Sequence, residues 1–469
     1  MRNCVNNLDF PLWLCLECAT HLLAKSFIVI RHNEGDSMSL FGSSGIRGLV
    51  GSRITPELVM SIGSAVGSIY DEVFIGRDTR SSGDMMVSAL SAGLLSVGSD
   101  VHDGDILPTP TVARYATGYG CAIMVTASHN PSPYNGIKLW NPDGSAFDDQ
   151  QSKEIEEAIA EHTWKTRRYD KLGTMRAEHG ALEQHMDAIL SVLQAEGEVV
   201  LDCASGPTSL ITPIMLRRMG CKVTALNSQI DGHFPGRMPE PLEENLGDLI
   251  TLVRSKPGAI GLAHDGDGDR IIAVDDCGRY LDGDRLLALF ASFLKPDGIV
   301  VPINASMVID DLVQGPVHRT RVGDVFVSDA LKKSGLKFGG EPSGTFIFAD
   351  QTFCPDGVYG AAFLAKMAQE ASLAEMVDEI PSYPMAQKVY LYDGDREQIS
   401  AKLWTEISSL DYEQLISVDG WRAEFDSGWF LVRFSGTEPK IRVTAEARDI
   451  TYMNCLMDIA DSVLERCLR

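Results

Sequence analysis

The chain has 469 residues, 44% of them apolar and 23% charged, so three or four domains with buried cores are expected, and disorder, collagen and coiled coil are excluded as the main state. It carries 41 Lys and Arg against 65 Asp and Glu, a formal net charge of −24. Such a surface repels nucleic acid and anionic membranes, and any anionic substrate must be met by a local basic pocket.

Ten cysteines lack any framework spacing, which points to reduced thiols and a cytoplasmic location. The most apolar early stretch, residues 9–30, is broken by Glu17, His21 and Lys25, so it reads as neither a membrane span nor a good signal peptide. Cys4, Cys15, Cys18 and His21 make a possible zinc set, but no second CxxC accompanies them. Residues 1–37 are therefore expected to be a non-native or disordered extension, with Met38 as the true start.

From Met38 the elements follow in order. Thr55-Pro56-Glu57 is a helix start, with a capping hydroxyl, Pro at the first helical position and an acid in the first turn. The apolar helix it opens runs to about Tyr70. Val73–Gly76 is a buried strand, 82–97 a helix, and Pro108-Thr109-Pro110-Thr111 a loop. Strand 122–125 runs into Thr126-Ala127-Ser128-His129-Asn130-Pro131. After a charged stretch at 151–180 the pattern restarts, with strands at 198–202, 221–226 and 259–263 and a helix at 208–219. A third segment has helices at 284–294, 306–314, 325–334, 358–371 and 373–379 and a strand at 298–303. Apolar strands alternating with helices indicate α/β units around sheets buried on both faces. The last 85 residues differ: helix 396–409, adjacent strands near 421–425, 428–434 and 440–447, and helix 452–466 form a small α+β unit. The expected domains are 38–176, 177–277, 278–384 and 385–469.

Four loops carry chemistry. Ser128 lies just past a strand end, where α/β sheets place ligands, with His129 beside it. Asp265-Gly266-Asp267-Gly268-Asp269 sets three carboxylates between glycines that permit tight folding. Hard oxygen ligands at this density suit Mg²⁺, and three repelling charges are costly without a cation. An EF-hand is excluded, because Arg270 stands where its glycine belongs and Asp276 where its bidentate Glu belongs. Glu341 and Ser343, in a glycine-rich loop, can hydrogen-bond sugar hydroxyls. Finally, Arg433-Phe434-Ser435-Gly436-Thr437-Glu438-Pro439-Lys440-Ile441-Arg442 gathers cations and hydroxyls suited to phosphate. Each loop belongs to a different segment, which points to one cleft where the segments meet.

The ordered motifs TASHNP, DGDGDR, GEPSG and RFSGTEPKIR resemble those of the α-D-phosphohexomutases, and the resemblance extends from Phe41–Gly48 to the end of the chain. Gly76–Arg80, Asn135–Lys138, Asp231–Arg237 and Pro239–Pro241 add to it. The resemblance implies three similar α/β domains and a C-terminal α+β domain of the TATA-binding-protein-like type around a central cleft. It implies that Ser128 is a phosphoserine in the resting enzyme, that Asp265, Asp267 and Asp269 hold one Mg²⁺ together with a phosphoserine oxygen, and that Arg270 helps hold that phosphate. It also implies that Glu341 and Ser343 read the sugar, and that Arg433, Ser435, Gly436, Thr437 and Arg442 clamp the phosphate that is not reacting. Arg47 and Lys138 match positions at the reacting centre, for acid–base or electrostatic work.

The implied reaction interconverts sugar 6- and 1-phosphates through a 1,6-bisphosphate, with hexose 1,6-bisphosphate as activator. Asp324 and Thr345 stand where many members carry His, and Thr320–Asp324 with Glu341–Thr345 are most similar to archaeal phosphoglucosamine mutases. Glucosamine phosphate is thus the expected substrate, with phosphomannomutase/phosphoglucomutase activity, a sugar-phosphate phosphatase or a silent sensor as alternatives. The expected partner is a small sugar phosphate, not nucleic acid or membrane, acting on a monomer or homodimer.

Overall fold

The computed structural model describes residues 40–42, 45–435 and 439–468. The expectations for residues 1–37, the zinc set included, lie outside them, as do Gly436 and Thr437.

Helix Pro56–Gly67 begins as its sequence dictates: Thr55 is extended and its hydroxyl accepts the Leu58 N–H. It packs against helix Gly83–Ser96 on a six-stranded sheet. Side by side, the strands are Ile46–Leu49, Tyr134–Trp140, Cys121–Val125, Glu72–Arg77, Asp100–Ile106 and Met175–Ala177. Glu72–Arg77 is parallel to both its neighbours, whereas Tyr134–Trp140 is antiparallel to both of its own. Cys121–Val125 is buried along its whole length, which accounts for its unbroken apolar run.

The structure adds elements here. Asp100–Ile106 and Tyr134–Trp140 are strands despite their Asp, Asn and Gly content, because neighbouring strands supply the pairing. Pro108–Thr111 is not simply a loop: helix Thr109–Tyr115 starts inside it, with a proline in its first turn. Helix Asp149–Glu161 runs into the charged stretch and is opened by an Asp148/Gln151 capping box.

In the second sheet, Gly197–Asp202 lies between Cys221–Leu226 and Ala259–His264, parallel to both, and Ile271–Val274 and Tyr280–Leu281 extend it antiparallel. In the third, Ile299–Pro302 lies between Val317–Thr320 and Phe338–Gly340, parallel to both. Phe346–Phe348 returns antiparallel, so residues 341–345 form a hairpin turn. One continuous apolar core runs through the second and third units, from Val200 and Leu262 to Phe290 and Phe338.

The fourth sheet is wholly antiparallel, in the order Met385–Leu391, Lys440–Ala447, Gly428–Phe434, Trp421–Phe425 and Gln414–Ile416. Helices Arg396–Ser408 and Ile450–Leu468 complete its core. Among the described residues, no helix is long and apolar enough to cross a membrane.

The fourth unit docks on the third through buried polar groups. Arg422 Nη1 donates to the carbonyls of Ile303 (2.9 Å) and Ala305 (2.8 Å), and its guanidinium lies 3.8 Å from the Trp429 ring centroid. Burial, then nearby Arg319, lowers this guanidinium to about 9. Glu446 accepts from Ser306 Oγ (2.5 Å), Met307 N–H (2.7 Å) and Trp429 Nε1 (2.7 Å). Truncating Glu446 strands three donors, two of them buried. Glu446→Leu should therefore cost roughly 2–4 kcal/mol, read as a lower urea midpoint. An unchanged midpoint would show that apolar packing alone holds the docking.

Candidate active site

The serine loop is shaped by one buried arginine. Ser128 sits in the left-handed region at φ 51°, an uncommon conformation for a residue other than glycine. Its N–H donates to Thr126 Oγ1 (2.8 Å), whose hydroxyl donates to Asp78 Oδ2 (2.7 Å). The same carboxylate pairs with Arg80 Nε at 2.9 Å. The remaining Arg80 N–H groups donate to the carbonyls of Ser128 (2.8 Å), Asn130 (2.6 Å), Pro131 (2.7 Å) and Tyr134 (2.9 Å). Every guanidinium donor is thus spent on holding the loop's shape. The motif containing Arg80 was legible in the sequence, but this role was not.

The acidic loop leaves strand Ala259–His264 and meets the serine loop closely. A Cβ on Gly266 would lie 2.4 Å from the Ser128 carbonyl oxygen, so only glycine allows the approach. Ser128 Oγ donates to Asp265 Oδ2 at 2.7 Å. Asp265, Asp267 and Asp269 are buried, and ligand atoms from all three lie within 4.8 Å of one another. Lys138 Nζ reaches Asp267 Oδ2 (3.2 Å) and Asp269 Oδ2 (2.6 Å). Asp267 Oδ1 and Asp269 Oδ1 are buried without a partner, as a set awaiting a small hard cation would be. The residues therefore fit Mg²⁺.

Burial, then repulsion from Asp269 and Asp267, pushes the Asp265 carboxyl well up. Burial and Asp267 likewise raise Asp269. Burial would raise Asp267 too, but Lys138 and the Thr109 hydrogen bond hold it low. Burial would lower the Lys138 ammonium, yet Asp267 and Asp269 outweigh it, so Lys138 is a fixed positive charge. His129 is the converse: burial, then Arg270 and Arg47, lower it to about 2, leaving a neutral ring whose Nδ1 is 3.3 Å from Ser128 Oγ.

A cavity of about 390 Å³ opens over these groups. Arg47, Ser128, His129, Asp269, Arg270, Glu341 and Ser343 all line it, as do Arg53, Asp324 and Thr345. Arg47 Nε and Arg270 Nε are buried without partners, which suits an incoming anion. Residues 270 and 345 form an isolated antiparallel bridge that ties the acidic loop to the hairpin turn. Glu341 Oε1 accepts the Gly323 N–H (2.7 Å), and Oε2 accepts from Thr345 Oγ1 (3.2 Å) and Ser343 Oγ (3.5 Å). Burial, then Asp324, pushes this carboxyl up to about 7.

Among the described residues of the C-terminal motif, none lines that cavity. Arg433 and Arg442 face each other across paired strands. Arg433 Nε donates to Asp419 Oδ2 (2.8 Å), which also accepts the N–H of cavity-lining Val322 (3.1 Å). Ser435 is buried, and its N–H donates to the Lys440 carbonyl (2.8 Å). Sequence reasoning missed Arg53 and Thr109 altogether, since neither falls within one of the four loops.

Residues 38–166, 181–278, 282–383 and 395–459 match the models for phosphoglucomutase/phosphomannomutase α/β/α domains I, II and III and the C-terminal domain. A probable phosphoglucosamine mutase of Methanosarcina acetivorans is 44% identical over 92% of this chain and 100% of its own length. A phosphoglucosamine mutase of Methanococcus maripaludis is 38% identical over 91% and 98%. Among solved structures, a phosphoglucomutase/phosphomannomutase family protein of Burkholderia thailandensis aligns with TM-score 0.83 and 27% identity, over 92% of this chain and 98% of that one.

Glu341 titrates near 7 in the folded chain against an ordinary value of 4.5. The folded state therefore binds the proton more strongly, and stability falls as pH rises between those values. Asp284, raised to about 7 chiefly by burial, acts in the same direction. Glu341→Gln should flatten part of that decline in urea midpoints measured from pH 4.5 to 7.5. An unaltered slope would place the Glu341 titration elsewhere.

Proposed function

This chain belongs to the phosphoglucomutase/phosphomannomutase family, and we propose that it interconverts glucosamine 6-phosphate and glucosamine 1-phosphate through a phosphoserine at Ser128 and a 1,6-bisphosphate intermediate. The observation that carries this reading is the contact of Ser128 Oγ with Asp265, at 2.7 Å inside a three-carboxylate set, on the wall of the cavity that holds Glu341 and Ser343. The relatives named phosphoglucosamine mutase support the choice of sugar.

In this reading Ser128 carries the transferable phosphoryl group. Asp265, Asp267 and Asp269 hold one Mg²⁺, which when bound offsets charge on the transferring group and improves serine as a leaving group. Arg47 and Arg270 receive phosphate oxygens on their unpartnered Nε groups. Lys138 works electrostatically, since two carboxylates keep it protonated. His129, kept neutral, adds no charge beside the serine and sets Nδ1 3.3 Å from Ser128 Oγ.

Glu341 and Ser343 take the sugar hydroxyls, and Arg433, Ser435, Gly436, Thr437 and Arg442 grip the distal phosphate. Hexose 1,6-bisphosphate primes Ser128. The enzyme works in the cytoplasm as a monomer or homodimer on a free sugar phosphate, and its net charge of −24 disfavours nucleic acid and anionic membrane as partners.

The test is a substrate panel followed by ³¹P NMR, with Mg²⁺ and a trace of hexose 1,6-bisphosphate. Glucosamine 6-phosphate should be converted with the highest kcat/KM against mannose 1-phosphate and glucose 1-phosphate. Ser128→Ala should abolish turnover while leaving substrate binding largely intact, and EDTA should silence the wild type. Full turnover by Ser128→Ala overturns the phosphoserine, and preference for another hexose overturns the sugar. Free phosphate released in step with turnover would mark a phosphatase instead.

A further inference from the structure

The three carboxylates are not presented to a cation symmetrically, and the asymmetry is imposed from a neighbouring domain. Asp265 is satisfied on both oxygens: Oδ1 accepts from the N–H groups of Gly268 (2.9 Å) and Arg270 (3.2 Å), and Oδ2 accepts from Ser128. On Asp267, only Oδ2 is engaged, by Thr109 Oγ1 at 2.6 Å and Lys138 Nζ at 3.2 Å, and Oδ1 is bare.

Thr109 is fully buried and lies 158 residues from Asp267 in the chain. It also donates its own N–H to the Asp267 carbonyl at 2.9 Å. Two donors from one residue thus grip both the main chain and the carboxylate of residue 267, and the side-chain donor decides which oxygen remains free.

Thr109 is in turn held. It opens helix Thr109–Tyr115, and two residues on, Thr111 Oγ1 lies 2.8 Å from His185 Nδ1. His185 Nε2 lies 3.0 Å from Asp356 Oδ2. All three residues are buried. The His185 ring thus bridges the Thr111 hydroxyl and the Asp356 carboxylate through its two nitrogens.

Asp356 caps helix Gly357–Glu370 by accepting the Tyr359 N–H. Gly357 presses on the back of the acidic loop, where a Cβ would come within 2.4 Å of the Arg270 carbonyl oxygen and 2.7 Å of that of Gly268. The circuit therefore leaves the acidic loop at Asp267, passes through all three α/β units, and returns to the loop at Gly268 and Arg270.

We propose that Thr109 is a positioning residue for the divalent cation: it turns Asp267 so that Oδ1 faces the ion, and the Thr111–His185–Asp356 chain holds it in place to do so. The proposal rests on the reading of Asp265, Asp267 and Asp269 as a cation site. Partners that orient a metal ligand typically change affinity about 10- to 100-fold when removed.

The test is Mn²⁺ binding by the full chain, read from the EPR signal of the free ion, with circular dichroism and thermal midpoints measured alongside. Thr109→Val should weaken Mn²⁺ binding about 10- to 100-fold, and Thr109→Ala, a second variant without the hydroxyl, should do the same should valine not be accommodated. Thr109→Ser, which keeps the hydroxyl, should restore affinity close to the wild type. Thr111→Val should give a smaller loss in the same direction.

A purely structural role would lower the thermal midpoints without separating serine from alanine in Mn²⁺ affinity. Wild-type affinity in the valine and alanine variants, or a serine variant as weak as alanine, overturns the proposal. Unchanged affinity in Thr111→Val overturns the part assigned to the His185 chain. A wild-type chain that binds no Mn²⁺ overturns the cation site itself, which separates that failure from failure of the Thr109 role.

Discussion

Three carboxylates held within 4.8 Å of one another in a buried loop are the constraint from which the rest of the centre follows. Taken out of water, such a set repels itself and is stable only if donors and cations surround it. The chain supplies part of that surrounding with the Lys138 ammonium, the Ser128 and Thr109 hydroxyls and the Gly268 and Arg270 N–H groups. Two oxygens are left over, one on Asp267 and one on Asp269. A divalent cation bound between them would complete the balance.

The second and third α/β units share an apolar core, and the first is bound to them by hydrogen bonds through Thr109, Thr111 and Lys138. This base holds Ser128, the acidic loop and the Glu341 hairpin turn in fixed relation. The fourth unit is attached differently, through Arg422 and Glu446 on the third unit and through Asp419 to the cavity rim. Arg433 is thus joined to the cavity through Asp419 and Val322, whereas Ser128 and the three carboxylates are built into the interior.

The helix at Pro56–Gly67, the buried strand ending before Ser128 and the antiparallel C-terminal strands were legible because caps, apolar runs and turns are local signals. The strands Asp100–Ile106 and Tyr134–Trp140 were not, because pairing with distant neighbours overrides their polar composition. The same limit hid Thr109. Read as part of the Pro108–Thr111 loop, it is one more small polar residue, and only the fold brings Asp267 within hydrogen-bond reach of it.

The sequence by itself determined the chemical inventory: a serine past a strand end, alternating aspartates and glycines, a glycine-rich turn with Glu341 and Ser343, a basic loop, and a family to which all four belong. These are matters of residue type and close spacing. Tertiary structure decided which groups touch, which oxygens are left free and which groups hold a proton. Ser128 and Asp265 lie 137 residues apart, so no local rule could bring them to 2.7 Å. The charge on Lys138 and the neutrality of His129 follow from burial and from charges contributed by separate segments. Both depend on the dielectric and field of the assembled interior, which exist only once the domains have closed around the cavity.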